Sequence, residues 1–216
     1  GSDSEAADIV DFIRGKEGIS GFRNRTINSK ALRLGDIINS TPLAVDKPTG
    51  NYDVRYNDLT YTAFKVKYQN RRRMIYVGAN DGLLHAFNAG FWNPTNQKFE
   101  LKHNGNEVEH PLGAEIWAYA PENLLPHLKW LTEVDYSHIY YVDGAPQAFD
   151  VNIFPSDNVH PNGWGSILLV GMRLGGDPIS GDFHSAYIVL DITDPESPPE
   201  LIAEISPNPL NYTTSE

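Results

Sequence analysis

The chain has 216 residues, with 17 Lys+Arg against 28 Asp+Glu and a formal net charge of −11. With 40% hydrophobic and 21% charged residues it holds enough apolar side chain to fold, which excludes a disordered chain. The lack of cysteine excludes a disulfide scaffold, a zinc ribbon and thiol chemistry; no apolar run reaches the ~20 residues of a membrane span; and the acidity argues against a general nucleic-acid binder.

In chain order, residues 2 to 14 are predicted as a helix. Ser2 and Glu5 have capping-box spacing, Ala6, Ile9, Phe12 and Ile13 share a face, and Gly15 suits the C-terminal cap. The stretch from Lys16 to Lys30 is polar and aperiodic, so residues 1–33 are taken as an N-terminal helix and linker. From Leu34 the pattern changes to short strands punctuated by Gly, Pro, Asn and Asp. Met74 to Val77 and Leu83 to Phe87 flank a Gly78-Ala79-Asn80-Asp81-Gly82 turn and are predicted as a hairpin. Further strands are expected at Ile116 to Ala120, His138 to Val142, Gln147 to Val151, Ile167 to Gly171, Tyr187 to Ile192 and Leu201 to Ile205. Glu122 to Thr132 carries a helical pattern interrupted at Pro126. Short strands at this spacing point to a mainly β fold of the sandwich, barrel or propeller type over 34–216.

The charge divides unevenly. Residues 1–73 hold 13 Lys+Arg and 9 Asp+Glu, while 74–216 hold 4 and 19, so a mildly basic segment leads into an acidic body. Within the basic part, Arg71-Arg72-Arg73 directly precedes a strand. Such a triplet can contact an acidic partner or nucleic acid, but edge or turn arginines also blunt unwanted strand pairing, which is the favoured reading; these three are nonetheless the candidate partner-binding residues.

Other motifs carry less. Asn80-Asp81-Gly82 offers oxygens to Ca²⁺, but a hairpin turn needs the same residues for positive φ and is the favoured reading. Asp46 to Asp58 and Asp177 to Asp182 lack the spacing of a calcium loop, and His103 and His110 lack that of a helical metal pair. Ser137, His138 and Asp143 lie too close in sequence to be taken as a triad. Asn24, Asn39 and Asn211 sit in sequons that carry little information. The aromatic clusters Phe91-Trp92, Trp117-Ala118-Tyr119 and Tyr136 with Tyr140-Tyr141 serve either as a carbohydrate or ligand platform or as packing, and packing is the favoured reading; a surface-binding module would use Trp92, Trp117, Trp130 or Trp164.

Several segments together resemble the PilC/PilY family of type IV pilus biogenesis and tip-adhesin proteins. Leu34 to Pro42 is similar to a family motif L-G-D-I-x-N-S-x-P at the start of the propeller. Ile75 to Phe87 is similar to its first blade hairpin, Tyr136 to Pro146 to the next, and Leu169-Val170-Gly171 with Ala186 to Pro195 to a glycine-rich strand and its L-D-x-T-D-P ending. The resemblance runs in order over about residues 5 to 205. It implies a modified quinoprotein-dehydrogenase-like β-propeller, partial at this length, with three to four blades, an N-terminal helix and short helical insertions. It implies a non-enzymatic, exported protein at the pilus tip, cell surface or outer membrane of a Gram-negative bacterium. Its roles would be pilus assembly, retraction control and adhesion, through contacts with pilin or minor pilins. No cofactor is expected, since the vicinal disulfide of quinone enzymes cannot form here, and the family's D-x-D-x-D-G calcium loop and D-x-S-x-S motif are missing. A second polypeptide supplying further blades is a further expected partner. The alternatives are a carbohydrate- or surface-binding adhesin module and, remotely, a quinone-dependent oxidoreductase.

Overall fold

The computed structural model describes residues 3–103, 106–175 and 185–206. Helix α1 (Asp3–Ile13) is followed by a small hairpin, β1 (Thr26–Ile27) and β2 (Lys30–Ala31), then β3 (Leu43–Val45) and a helical insertion, α2 (Tyr52–Tyr56) and α3 (Leu59–Tyr68). Strands β4 (Met74–Gly78) and β5 (Leu84–Asn88) precede two short hairpins, β6 (Phe91–Asn93) with β7 (Lys98–Glu100), and β8 (Lys102–His103) with β9 (Asn106–Glu107). Strand β10 (Glu115–Tyr119), a 3₁₀ segment (Glu122–Thr132), β11 (Gln147–Asn152), a 3₁₀ turn (Pro161–Gly163), β12 (Trp164–Gly171), β13 (Tyr187–Asp191) and β14 (Glu200–Ile205) complete the order.

The longer strands form two four-stranded antiparallel meanders, β3-β4-β5-β10 and β11-β12-β13-β14, each in chain order across its sheet. Each is a propeller blade. The mainly β, partial propeller expected from sequence is therefore present, with two blades among the described residues where three to four were expected. The reason is that blade 1 is interrupted twice, by α2–α3 between its first two strands and by four short strands between its last two, so chain length overstates blade count.

Strand period places one face of each blade in a shared core. Met74, Tyr76, Leu84 and Ala86 of blade 1 meet Leu168, Val170, Ile188 and Leu190 of blade 2, with Leu124, Leu128 and Leu131 of the 3₁₀ segment beneath. Pro126 lacks a backbone donor and in an α-helix its ring would clash with the carbonyl four residues back, which disfavours an α-helical path through this segment. Helix α1 docks on the same core through Phe12, whose ring packs edge-on against Phe22 at 5.6 Å and lies under the Arg25 guanidinium at 3.6 Å. The stretch after α1 is thus pinned to the body although it has no period. The Ser2 end of its capping pattern lies outside the described residues.

Residues 138–142, expected as a strand, join no ladder. They lie at the junction between the blades, and close packing there demands glycine. A Cβ on Gly144 would overlap the Gly171 carbonyl oxygen, and one on Gly78 the Val142 carbonyl. Gly144→Ala is expected to destabilise the chain by about 1–3 kcal/mol, because backbone rather than a flexible side chain must move. Urea denaturation measures this, and an unchanged midpoint would contradict the packing.

Among the described residues the other face of blade 2 is open. Phe149, Tyr187 and Ile205 lie on it, cross-strand from Ile167, Gly171 and Tyr187 respectively, and all three are exposed. The chain leaves 12954 Å² accessible, against roughly 10,000 Å² for a compact monomer of this mass, and this apolar face is part of the difference.

Candidate functional site

The motif residues from Leu34 to Pro42 converge on the junction between the blades. The Gly35 N–H donates to Asp81 Oδ2 at 2.7 Å, and the Asn80 N–H donates to the Asp36 carbonyl at 3.0 Å. Asp36 Oδ2 also accepts from Asn80 Nδ2 (3.2 Å) and lies 2.9 Å from His138 Nε2. The Asn39 N–H and Nδ2 donate to the two oxygens of buried Asp143, at 3.1 and 2.6 Å, while the Gly78 N–H donates to Ser40 Oγ at 2.9 Å. Asn80 Oδ1 accepts from the Tyr141 N–H at 3.1 Å. These polar groups of the pattern are matched by other parts of the pattern, which is the physical content of the spacing. The segments correspond: Asn39-Ser40-Thr41-Pro42 leads into β3 as Asp143-Gly144-Ala145-Pro146 leads into β11, and the matching residues Asn39 and Asp143 bond across the junction.

This arrangement decides three sequence-level candidates. Asp81 and Gly82 form the turn, with Gly82 at φ 87°, and Asp81 Oδ1 accepts from the Leu83 N–H at 3.1 Å. His138 pairs with Asp36 while Asp143 is taken by Asn39, so Ser137, His138 and Asp143 do not assemble as a triad. Among the described residues no group of three or more His, Asp or Glu is placed to hold a metal ion. Residues 177–182 lie outside the described residues.

The arginine triplet points inward. Arg71 Nε donates to the Asp46 carbonyl, and its Nη1 donates to Ser166 Oγ (3.0 Å) and to the Thr193 carbonyl (3.2 Å); burial pulls its pKa down from the ordinary value. Arg72 is buried over the Phe91 ring and binds Glu196 bidentately at 2.8 and 2.7 Å, joining the start of β4 to the loop after β13. Arg73 lies 3.4 Å from Asp46 and 4.3 Å above the Phe99 ring, with a third of its side chain exposed.

Beside the triplet, the insertion clasps blade 2 with an aromatic box. Tyr61, Phe64 and Tyr68 of α3 and Tyr52 of α2 surround Trp164 at the start of β12. Trp164 Nε1 donates to Thr60 Oγ1 at 2.9 Å, the Tyr61 hydroxyl donates to Asp150 Oδ2 at 2.7 Å, and the Tyr68 hydroxyl donates to the Val159 carbonyl at 2.6 Å. Burial, with the Asp150 carboxylate next, raises the Tyr61 pKa far above the phenolic range, and burial raises that of Tyr68 to about 12. Sequence reading missed this box, although Tyr61, Phe64 and Tyr68 carry helical spacing after Asp58, whose side chain caps α3 through the Thr60 and Tyr61 N–H groups.

Of the four tryptophans, Trp164 is buried, Trp117 and Trp130 are partly buried, and Trp92 is 53% exposed. Trp92 stands cross-strand from Phe99 on the β6–β7 hairpin, with ring centroids 5.2 Å apart. The opposite face of that hairpin is fixed by Glu100, which accepts from Asn93 Nδ2 and Asn96 Nδ2, each at 2.8 Å. Finally, a groove of about 1060 Å³ runs between α1 and the β5–β10 edge of blade 1, with buried His85 in its wall between Asp81 and Glu115.

Comparison with known proteins agrees with this architecture. Residues 34–202 match the family model described as the PilY1 beta-propeller domain. A type IV pilus biogenesis factor PilY1 homolog of Xylella fastidiosa is 31% identical over 197 residues, covering 90% of this chain and 13% of that protein. The type IV pilus biogenesis factor PilY1 of Pseudomonas aeruginosa is 30% identical over 202 residues, covering 90% and 14%. The chain thus spans about one-seventh of the length of these relatives. A crystal structure of the P. aeruginosa PilY1 C-terminal domain aligns with a TM-score of 0.42 at 23% identity, over 76% of this chain and 25% of that one.

Proposed function

The chain belongs to the PilY1 beta-propeller family, and on that premise we propose that it serves type IV pilus biogenesis as a non-enzymatic module working through protein contacts. Its partners in this reading are pilin or minor pilins, met outside the cytoplasm at the surface of a Gram-negative bacterium. The observation that carries it is the open apolar face of blade 2, where Phe149, Tyr187 and Ile205 meet solvent and need another protein surface. Further blades, from a second polypeptide or from more of a longer one, cover that face. Of the three arginines, Arg73 is the one exposed enough to reach a partner, and Arg71 and Arg72 hold the blades together. No cofactor is assigned.

In-frame removal of residues 34–202 from the host gene is expected to abolish surface pili counted by electron microscopy. Removing the retraction motor as well should restore them if the module opposes retraction. Normal piliation in the single deletion would sink the proposal.

One observation favours a second reading, an adhesin module for carbohydrate. Trp92 is held half exposed on a hairpin that neither blade's ladder includes and that Glu100 ties together, and an exposed indole face stacks on the C–H face of a sugar ring. Glycan-array binding that is lost in Trp92→Ala with folding intact would place adhesion first. A blank array leaves protein contact in front.

A further inference from the structure

The helical insertion of blade 1 has two apolar sides, and only one is covered. Tyr61, Phe64 and Tyr68 turn into the aromatic box. Leu59, Ala63 and Val66, spaced i, i+4 and i+7, fall together on roughly the opposite side of α3. Leu59 is 75% and Val66 59% exposed, and the adjoining α2 leaves Val54 81% and Tyr56 65% exposed. A helix that already has its buried face gains nothing from a second apolar stripe in water, so the stripe is a surface awaiting a partner.

The charges say which kind. Both carboxylates of the insertion are used internally: Asp53 is held by Lys65 at 3.0 Å, and Asp58 caps α3. Arg55 and Lys67, the latter flanking the stripe, make no ion pair among the described residues. We infer that this face docks a short amphipathic helix of a partner protein whose own apolar stripe is bordered by carboxylates. The i, i+4, i+7 ridge fits between side-chain rows of a second helix, and the two cations fix its charge. A second copy of this chain cannot supply that helix: its acidic amphipathic helix is α1, whose Phe12 is buried in the core. An anionic bilayer is disfavoured by the net charge of −11 and by the lack of Trp or Phe on the stripe.

This inference rests on the protein-contact reading above, and the two fail separately. The test titrates the full chain with two labelled 18-residue helical peptides that share a leucine stripe, one flanked by Glu and one by Lys, read by fluorescence anisotropy. The Glu peptide is expected to bind at least tenfold more tightly than the Lys peptide. Leu59→Ser with Val66→Ser should lose that binding more than tenfold with an unchanged circular-dichroism melt, and Arg55→Glu with Lys67→Glu should reverse the preference. Four results would overturn the inference. These are no binding of the Glu peptide up to ~1 mM; equal binding of both peptides; a concentration-dependent dimer abolished by the serine variant; and sedimentation with phosphatidylglycerol vesicles abolished by it. Full piliation by a gene carrying the serine variant would also remove this face, while leaving the protein-contact reading intact.

Discussion

Replacing Trp164 with alanine is expected to lower the unfolding free energy by about 3–5 kcal/mol, among the largest single-residue losses in the chain. The indole sits 4.7 Å from the Tyr61 ring and 4.9 Å from Tyr52, and its Nε1 donates to Thr60 Oγ1. Removing it takes away the transfer energy of a buried aromatic, leaves a void that rings fixed by Asp150 and Val159 cannot collapse into, and orphans the Thr60 contact. The effect spans elements. Blade 1 reaches blade 2 through this insertion, so α2–α3 should become the preferred site of limited proteolysis. Trp164→Phe keeps a ring and loses only the indole donor and some volume, so about 1–2 kcal/mol is expected of it. Urea titration of both variants measures the ladder. An alanine variant within about 1 kcal/mol of the parent would mean that the box is not what joins insertion to blade.

How much of this could be read from sequence differs by element. The hairpin at Gly78 to Gly82 was legible because both signals agree: alternating apolar strands, and an Asp-Gly turn whose glycine adopts positive φ. The later strands from Gln147 onward were legible from their short apolar runs bounded by Gly, Pro, Asn and Asp, their bounds shifting by one to three residues. Residues 138–142 misled because an apolar, aromatic run looks like a strand whether it joins a ladder or, as here, threads a junction through side-chain bonds such as Tyr141 to Asn80. Helix α3 was missed because Leu59 and Val66 face away from Tyr61, Phe64 and Tyr68. Apolar residues on both sides cancel the amphipathic signal, and that cancellation is itself the mark of a helix with two contact faces.

The candidate arginines show a different limit. A triplet before a strand reads as exposed charge because nothing local satisfies it. Its partners, Asp46, Ser166, Thr193 and Glu196, come from three separate stretches of chain. The Asn39 to Asp143 bond was visible only as two similar tetrapeptides 104 residues apart. Long-range pairing of this kind is fixed by the packing of blades and leaves no local period to detect.

A buried imidazole carries the second large expectation, a pH dependence of stability. His85 on β5 has Nδ1 2.6 Å from Glu115 Oε1 and Nε2 3.1 Å from both Asp81 oxygens. Burial alone would lower its pKa, but hydrogen bonds to Asp81 and then Glu115 outweigh it and raise the value to about 9. Because the folded pKa lies above the ordinary 6.5, the protonated form stabilises the fold. That contribution is complete below about pH 6.5, declines as pH rises, and is gone above about pH 9. A shift of this size corresponds to on the order of 3 kcal/mol. The informative quantity is the difference between the parent and His85→Gln, because it isolates the contribution of this one imidazole. The parent should lose about 2–3 kcal/mol of urea stability between pH 6 and pH 9.5 in excess of the variant. At pH 9.5 the two should converge, apart from a pH-independent packing offset. The mechanical reason is that Asp81 is also the acceptor for the Gly35 N–H, so losing the imidazolium leaves Asp81 and Glu115 facing a neutral ring where the first motif residues attach to blade 1. Parallel pH profiles for parent and variant would show that the clamp does not act as an ion pair.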